Sequence, residues 1–385
     1  MSDKIVKNNI VNWGIIPKRE NGDNRRKNMY NSIKPGQPWL DTNGNRIQAH
    51  GGCMLYVDGT FYWYGENKEK TISEYELWHW GVRLYSSTDL YNWKDEGIIM
   101  LPEPEKPGHP LHPCSKMDRP HILYNDKTKK FVLWMKIMGD GDKQYMTIAT
   151  SDKIKGPFQI VKEKLYPGQM NSGDFDLAKF EDGHAVIVFE RVHSDMIVMD
   201  LTDDYLNVTD NYTIHYERPF PPYVREAPAV FFRKEKGYVI TSGTSGKMPN
   251  PSEVACFDDI HGEWEVLGES HVNDVKQTSF DSQVSCVFKH PKYDDLYIAM
   301  ADRWLVDLTE DKPSGVEFFA ARTDKDYPMS VERREAIKKL RMEDMSKKNI
   351  SIAEYVWLPI KFEDGIPKIY WYDEWKIEDV CGEEV

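Results

Sequence analysis

The chain is poor in cysteine: five in 385 residues, at Cys53, Cys114, Cys256, Cys286 and Cys381. So wide and odd a set holds no disulfide framework and no paired zinc spacing. Cys53, Cys256 and Cys286 fall inside apolar strand patterns, where a thiol acts as a small hydrophobe. Long apolar runs are also missing, which excludes a membrane-spanning helix. The opening residues, Met1-Ser-Asp-Lys-Ile-Val-Lys, have no apolar signal core, so the sequence as it stands reads as cytoplasmic. Positive charge is in deficit. Lys plus Arg number 50 against 63 Asp plus Glu, for a net charge of −13, which argues against nucleic acid as a partner. The acidity is scattered, as on a solvated surface, and implies no membrane or protein partner. What the chain has in plenty is aromatic side chains, with 12 Trp and 21 Tyr. Such rings stack on sugar faces, and they also fill gaps between packed sheets.

Five times a polar residue heads a short apolar strand that turns into a second, aromatic-rich strand. The starts are His50-Gly-Gly-Cys-Met-Leu-Tyr, Asp118-Arg-Pro-His-Ile-Leu-Tyr, Asp174-Phe-Asp-Leu-Ala-Lys-Phe, Glu226-Ala-Pro-Ala-Val-Phe-Phe and Gln283-Val-Ser-Cys-Val-Phe. A period of 50 to 70 residues with several strands per unit is the mark of a β-propeller. Asp58-Gly59, between Met54–Val57 and Phe61–Tyr64, is a two-residue hairpin signal, and later units repeat it with Asn125-Asp126, Asp182-Gly183 and Lys236-Gly237. Polar segments after each third strand, from Tyr85–Trp93 through Ala149–Lys153, Leu201–Tyr205 and Cys256–Asp259 to Ala321–Asp324, echo one another and make the unit a four-stranded blade. Ser330–Met342 has helical spacing at Ala336, Ile337 and Leu340, and reads as an insertion in the last blade. The expected fold is all-β, a five-bladed β-propeller. Residues 1–38 form a lead-in that wraps it, 39–378 the propeller, and 379–385 a tail.

Innermost strands of a propeller converge on its axis, so the five heads should meet in a funnel. Two Asp, one Glu, one Gln and one His are costly to bring together without chemistry to perform. The segment Tyr223-Val-Arg-Glu-Ala-Pro-Ala-Val230 places Glu226 between a cation and a turn, at the mouth of a strand. Here the chain resembles glycoside hydrolase family 43, over roughly residues 39–378. Ile47-Gln-Ala-His-Gly-Gly52, Tyr62-Trp-Tyr-Gly-Glu66, Arg119-Pro, Thr241-Ser-Gly243, Ser282-Gln283 and Ala301-Asp-Arg-Trp304 are together similar to its exo-β-1,3-galactanase branch.

Glycosidic cleavage with inversion needs a proton donor on the leaving oxygen and a base for water on the opposite face. The resemblance implies Glu226 as donor and Asp174 as the group that tunes it, with Asp176 a competitor for that role. Gln283 matches the branch's base position, in place of the Asp that most of the family carries in the first blade. Asp118 stands where the branch has Glu, as a sugar ligand or alternative base. Glu66, Thr244 and Ser245 are expected against sugar hydroxyls, and Arg119 beside a funnel carboxylate. His50 is expected against the substrate or in the shell of an axial calcium ion, which the family often holds although no calcium loop is present. No cofactor is required. Lys247 replaces a Trp that the branch usually has. His109-Pro-Leu-His112-Pro-Cys114 has ligand types but no second cluster, and Trp78-His79-Trp80 suits either a rim platform or blade packing.

The resulting expectation is an inverting exo-glycosidase that frees galactose, or a similar sugar, from the non-reducing end of β-1,3-linked plant oligosaccharides. The alternatives are an α-L-arabinofuranosidase or β-xylosidase of the same family, a propeller that binds glycans without cleaving them, and a phosphorolytic enzyme using Arg119 and Arg225.

Overall fold

A computed structural model describes residues 30–74, 76–139, 143–308, 312–340 and 347–380. Most of the expected lead-in, residues 1–29, and residues 381–385 of the tail lie outside that set.

Five four-stranded antiparallel sheets follow one another as the blades of a propeller. Blade one is β1 (His50–Val57), β2 (Thr60–Glu66), β3 (Val82–Ser87) and β4 (Lys94–Met100). Blade two is β5 (Lys116–Asn125), β6 (Lys130–Met138), β7 (Gln144–Ser151) and β8 (Gln159–Leu165). Blade three comprises β9 (Ser172–Lys179), β10 (Ala185–Arg191), β11 (Asp195–Leu201) and β12 (Val208–His215). Blade four comprises β13 (Arg225–Arg233), β14 (Lys236–Gly243), β15 (Glu253–Phe257) and β16 (Glu265–Gly268). Blade five is β17 (Gln283–Lys289), β18 (Tyr297–Arg303), β19 (Glu354–Glu363) and β20 (Ile366–Ile369). Between β18 and β19 lie two helices, α1 (Gly315–Thr323) and α2 (Val331–Lys339), and α3 (Ile377–Val380) follows the last blade.

The first hairpin forms as its turn residues dictate. Val57 pairs with Thr60, and Asp58 and Gly59 both take positive φ, which matches the twist of the flanking strands. Helix α2 starts where Ser330 caps it through the Arg333 backbone N–H. The fifth polar echo is corrected. Ala321–Thr323 ends α1, a helix held by a capping box between Ser314 and Glu317, and the turn joining the outer strands of blade five is Asp364-Gly365.

Among the described residues no strand is exchanged between the first and last blades, and side chains carry much of the closure of the ring. Trp63, Trp93, Tyr85, Tyr355 and Trp357 form one buried cluster across the seam, with Trp63 centred 4.6 Å from Trp357 and 5.3 Å from Trp93. Much of the aromatic excess therefore goes into blade packing. Isolated bridges from Ile33 to Trp375 and from Gln37 to Tyr355 add backbone hydrogen bonds, which brings residues 30–38 of the lead-in against the last blade. A disulfide joins Cys53 on β1 to Cys286 on β17, 233 residues apart. This corrects the reading of both as isolated thiols. Cys256 is free and buried, as its strand pattern suggests.

A cross-link over so long a loop stabilises chiefly by restricting the unfolded chain. Under oxidising conditions Cys53→Ser should cost about 2–4 kcal/mol. Thermal melts with and without reductant check this. Wild type in reductant should melt with the variant, and a variant that melts with oxidised wild type would refute the clasp.

Candidate active site

Each innermost strand carries a register shift at its polar head: just past it at His50/Cys53, Asp118/His121, Glu226/Ala229 and Val284/Cys286, and in blade three at the head itself, where Gly173 and Asp174 lie opposite Glu190. A bulge turns the strand end and re-aims the side chain before it. In three blades the residue after the head lies in the left-handed region, namely Gly51 (φ 57°), Arg119 (51°) and Ala227 (52°). For Arg119 and Ala227 that conformation costs about 1–2 kcal/mol each. At Gly51 a Cβ would sit 2.5 Å from Glu66 Oε1, so only glycine fits.

Pairing within each first hairpin then sets a second polar residue beside the head. Glu66 faces His50, Lys136 faces Asp118, Ser242 faces Glu226 and Asp302 faces Gln283, while Glu190 occupies the bulge of blade three. Lys136, Glu190, Ser242 and Asp302 were missed from sequence. Their signal was available: each is a polar residue near the end of a buried second strand, and Lys136 interrupts the apolar run Phe131–Ile137. A buried ammonium demands partners.

Arg119 holds the centre. Its Nη2 donates to Gln283 Oε1 (2.6 Å) and lies 3.0 Å from Asp174 Oδ2. The other oxygen of Asp174 accepts from Lys136 Nζ at 2.6 Å, and the same ammonium is 3.2 Å from Asp118 Oδ2. Trp78 Nε1 donates to Asp118 Oδ1 (2.7 Å). Gln283 Nε2 donates to Ser242 Oγ (2.8 Å) and to Glu226 Oε1 (3.3 Å). Asp118, Asp174, Arg119, Gln283 and Glu226 thus form one chain of contacts drawn from blades two to five.

The charges push the carboxyl groups apart. Burial would raise Asp174, but Arg119 and Lys136 outweigh it and hold Asp174 far below the ordinary carboxylate range. Asp118 is likewise lowered against burial, by Lys136, Lys68 and Lys247. Glu226 goes the other way. Burial, then the negative fields of Asp174 and Glu190, lift it well above its ordinary value, so it carries a proton where its neighbours are ionised. A neutral acid among fixed anions is the arrangement that general acid catalysis requires.

The remaining candidates divide. Glu66 is buried, accepting from the Arg119 backbone N–H (3.0 Å) and paired with Lys68 at 2.7 Å. Burial raises it toward about 7 despite Lys68, and it props the Arg119 backbone from below. His50 is fully buried, with Nδ1 on Asp302 Oδ1 (2.9 Å) and Nε2 facing the Tyr355 hydroxyl (3.3 Å). Both ring nitrogens thus serve the seam between blades one and five. Among the described residues no group of three or more acidic, His or Cys side chains has metal-binding geometry. Ser245 donates to Met248 O and accepts from Asn250, which makes it the staple of the 244–252 turn. Thr244 Oγ1 has no partner among the described residues. Asp176 is taken up by His121 and by the Val230 backbone N–H, stitching blades two, three and four. Arg225 donates to Thr241 and Pro251, which ties it to its own blade. His109 and His112 each accept from a backbone N–H two residues on, as turn-formers.

A five-bladed funnel that keeps a protonated carboxyl group among fixed anions is an arrangement suited to acid-assisted bond cleavage. The chain belongs to glycosyl hydrolases family 43, whose family model matches residues 48–286. Solved structures similar to it include the family 43 β-1,3-galactosidase BT0265, at 30% identity and TM-score 0.72 over 91% of this chain. The chain spans 64% of the length of BT0265. A second is the β-1,3-galactosidase BT3683 with galactodeoxynojirimycin, at 27% identity and TM-score 0.70, covering 90% of this chain and 100% of the other. An exo-β-1,3-galactanase from Clostridium thermocellum follows at 25% and 0.67, over 89% of this chain and 66% of that one. No curated protein sequence matches significantly.

With Glu226 as the proton donor, activity should fall as pH rises through its elevated pKa. Asp174→Asn removes the first charge that raises it, so the alkaline limb of kcat/KM should move to lower pH. A pH profile of both proteins checks this, and an unmoved limb would separate Asp174 from the tuning role. Asn keeps one accepting oxygen for Arg119 or Lys136, but losing the counter-charge to these two buried cations still costs up to about 3–5 kcal/mol, so folding of the variant is checked first by circular dichroism.

Proposed function

We propose that this chain is an inverting exo-acting enzyme that releases galactose from the non-reducing end of β-1,3-linked galacto-oligosaccharides. The observation that carries the reading is Glu226, kept protonated opposite an amide, Gln283, that Arg119 and Ser242 hold in place. Glu226 would protonate the glycosidic oxygen as the bond breaks. Asp174 stays ionised and sustains the proton on Glu226 until transfer. Gln283 would orient the attacking water on the other face of the sugar and, as its imidic acid tautomer, take the water's proton on its side-chain nitrogen while releasing its own hydroxyl proton, which returns it to the amide. Its Oε1 already accepts from Arg119, which fixes which way the amide points. The 3.3 Å contact between Gln283 and Glu226 leaves no room for a sugar ring. Binding must part these two side chains, and the tethers to Arg119 and Ser242 favour movement of Glu226. Asp118, ionised and anchored by Trp78, is placed to take sugar hydroxyls. The choice of galactose rests on the similarity to the two β-1,3-galactosidases.

The test is a panel of nitrophenyl glycosides together with β-1,3-galactobiose. Galactose should be released with inversion, as followed by NMR of the fresh product. Glu226→Gln should lower kcat by about 10²–10⁴-fold, and Gln283→Ala by a similar factor. Release of arabinose or xylose alone would replace galactose in the reading. Full activity in Gln283→Ala would transfer the base role to Asp118 or Asp174.

A further inference from the structure

Connections on the funnel face differ sharply between blades. β6 and β7 are joined by residues 139–143, and β10 and β11 by 192–194. By contrast β2 and β3 are joined by 67–81, β14 and β15 by 244–252, and β18 and β19 by 304–353, which includes α1 and α2. The long connections belong to blades four, five and one, which are neighbours in the ring. Connectors between blades enter on the same face and are long before blades two (101–115) and five (269–282) but short before blade three (166–171), so the low side of the rim lies at blade three.

Two of the high connections meet across blade five. Lys247 Nζ, from blade four, lies 2.6 Å from Glu74 Oε1, from blade one, and the two side chains are only 18% and 3% exposed. Beneath the pair the ammonium sits 4.8 Å from the Trp78 ring and 5.5 Å from that of Trp304. Lys68 faces the same two rings at 4.9 and 6.0 Å. The inner side of this wall belongs to the site, since Trp78 donates to Asp118, and Lys247 and Trp304 line one recess with Gln283. From behind, α1 packs Phe318 and Phe319 into a cluster with Met248 and Leu305, which fixes the turn that bears Lys247.

We propose that the Glu74–Lys247 pair closes the funnel mouth behind the terminal sugar, so that a glycan enters only by its chain end and its remainder leaves over blade three. An internal bond can reach the acid only if chain extends in both directions, and the buried pair blocks one of them. The proposal rests on the exo-acting reading above and assigns its physical origin to two residues outside the catalytic set.

The experiment compares β-1,3-galactotetraose with the same chain carrying a benzyl ether on its non-reducing 3-hydroxyl. Wild type should cleave the free chain and leave the capped one. Glu74→Gln and Lys247→Ala, made separately and checked for folding by circular dichroism, should raise the capped-to-free rate ratio by about tenfold or more. Lys247→Arg, which keeps the pair, should retain exclusion. Cleavage of the capped chain by wild type, or an unchanged ratio in a folded variant, overturns the proposal. If wild type cleaves neither galactan chain, the sugar assignment has failed. The capped and free pair is then built from the sugar that the glycoside panel identifies, and the same ratio judges the wall.

Discussion

One buried guanidinium organises this funnel. Arg119 reaches from blade two to Asp174 of blade three and Gln283 of blade five, while its backbone N–H rests on Glu66 of blade one. A cluster of carboxyl groups at the centre of a propeller would repel itself unless counter-charge were built in. Arg119 and Lys136 supply that charge to Asp118 and Asp174, which stay ionised. Glu226 lies within the field of those anions without an ion-pair partner of its own among the described residues, and burial completes the rise in its pKa. The acid is thus made by what its neighbours receive and it does not.

The propeller repeats one device and assigns it unlike tasks. In every blade a bulge ends the innermost strand and sets its head beside the last residues of the second strand. In blade one the pair His50–Asp302 and the ring of Tyr355 spend that geometry on the seam. In blades two and three it builds the charge network, and in blades four and five the facing acid and amide. Differences between blades arise in the connections, and those lengths make the rim lopsided. The core repeats because packing between blades is generic, whereas connections over the funnel face solvent and are free to vary.

What the chain order determined by itself was the periodic part. Alternating strands, the Asp58-Gly59 turn, the helix after Ser330 and the five polar heads were all legible, since each depends on residues within a few positions of one another. Glu226 stood out for the same reason, with its cation and its turn beside it. Where a pattern was only local in appearance, it misled. Ala321–Asp324 mimicked a blade turn, yet the capping box at Ser314 and the apolar Phe318 and Phe319 place it in a helix. Asp174 and Asp176 share one face of β9, so alternation could not choose between them. The choice came from the Val230 N–H and His121, which occupy Asp176 from other blades and leave Asp174 to the funnel.

Only the tertiary structure decided the pairings between blades. Cys53 with Cys286, Lys136 with Asp174, Arg119 with Gln283 and Glu74 with Lys247 join positions from 38 to 233 residues apart. No local periodicity encodes such contacts, because they depend on closing the ring. His50 shows the consequence most plainly: as a strand head it read as a funnel residue, and ring closure buried it against Asp302 and Tyr355. Sequence thus determined which residues reach the axis. Closure of the ring decided which of them hold charge, which hold the fold, and which one keeps a proton.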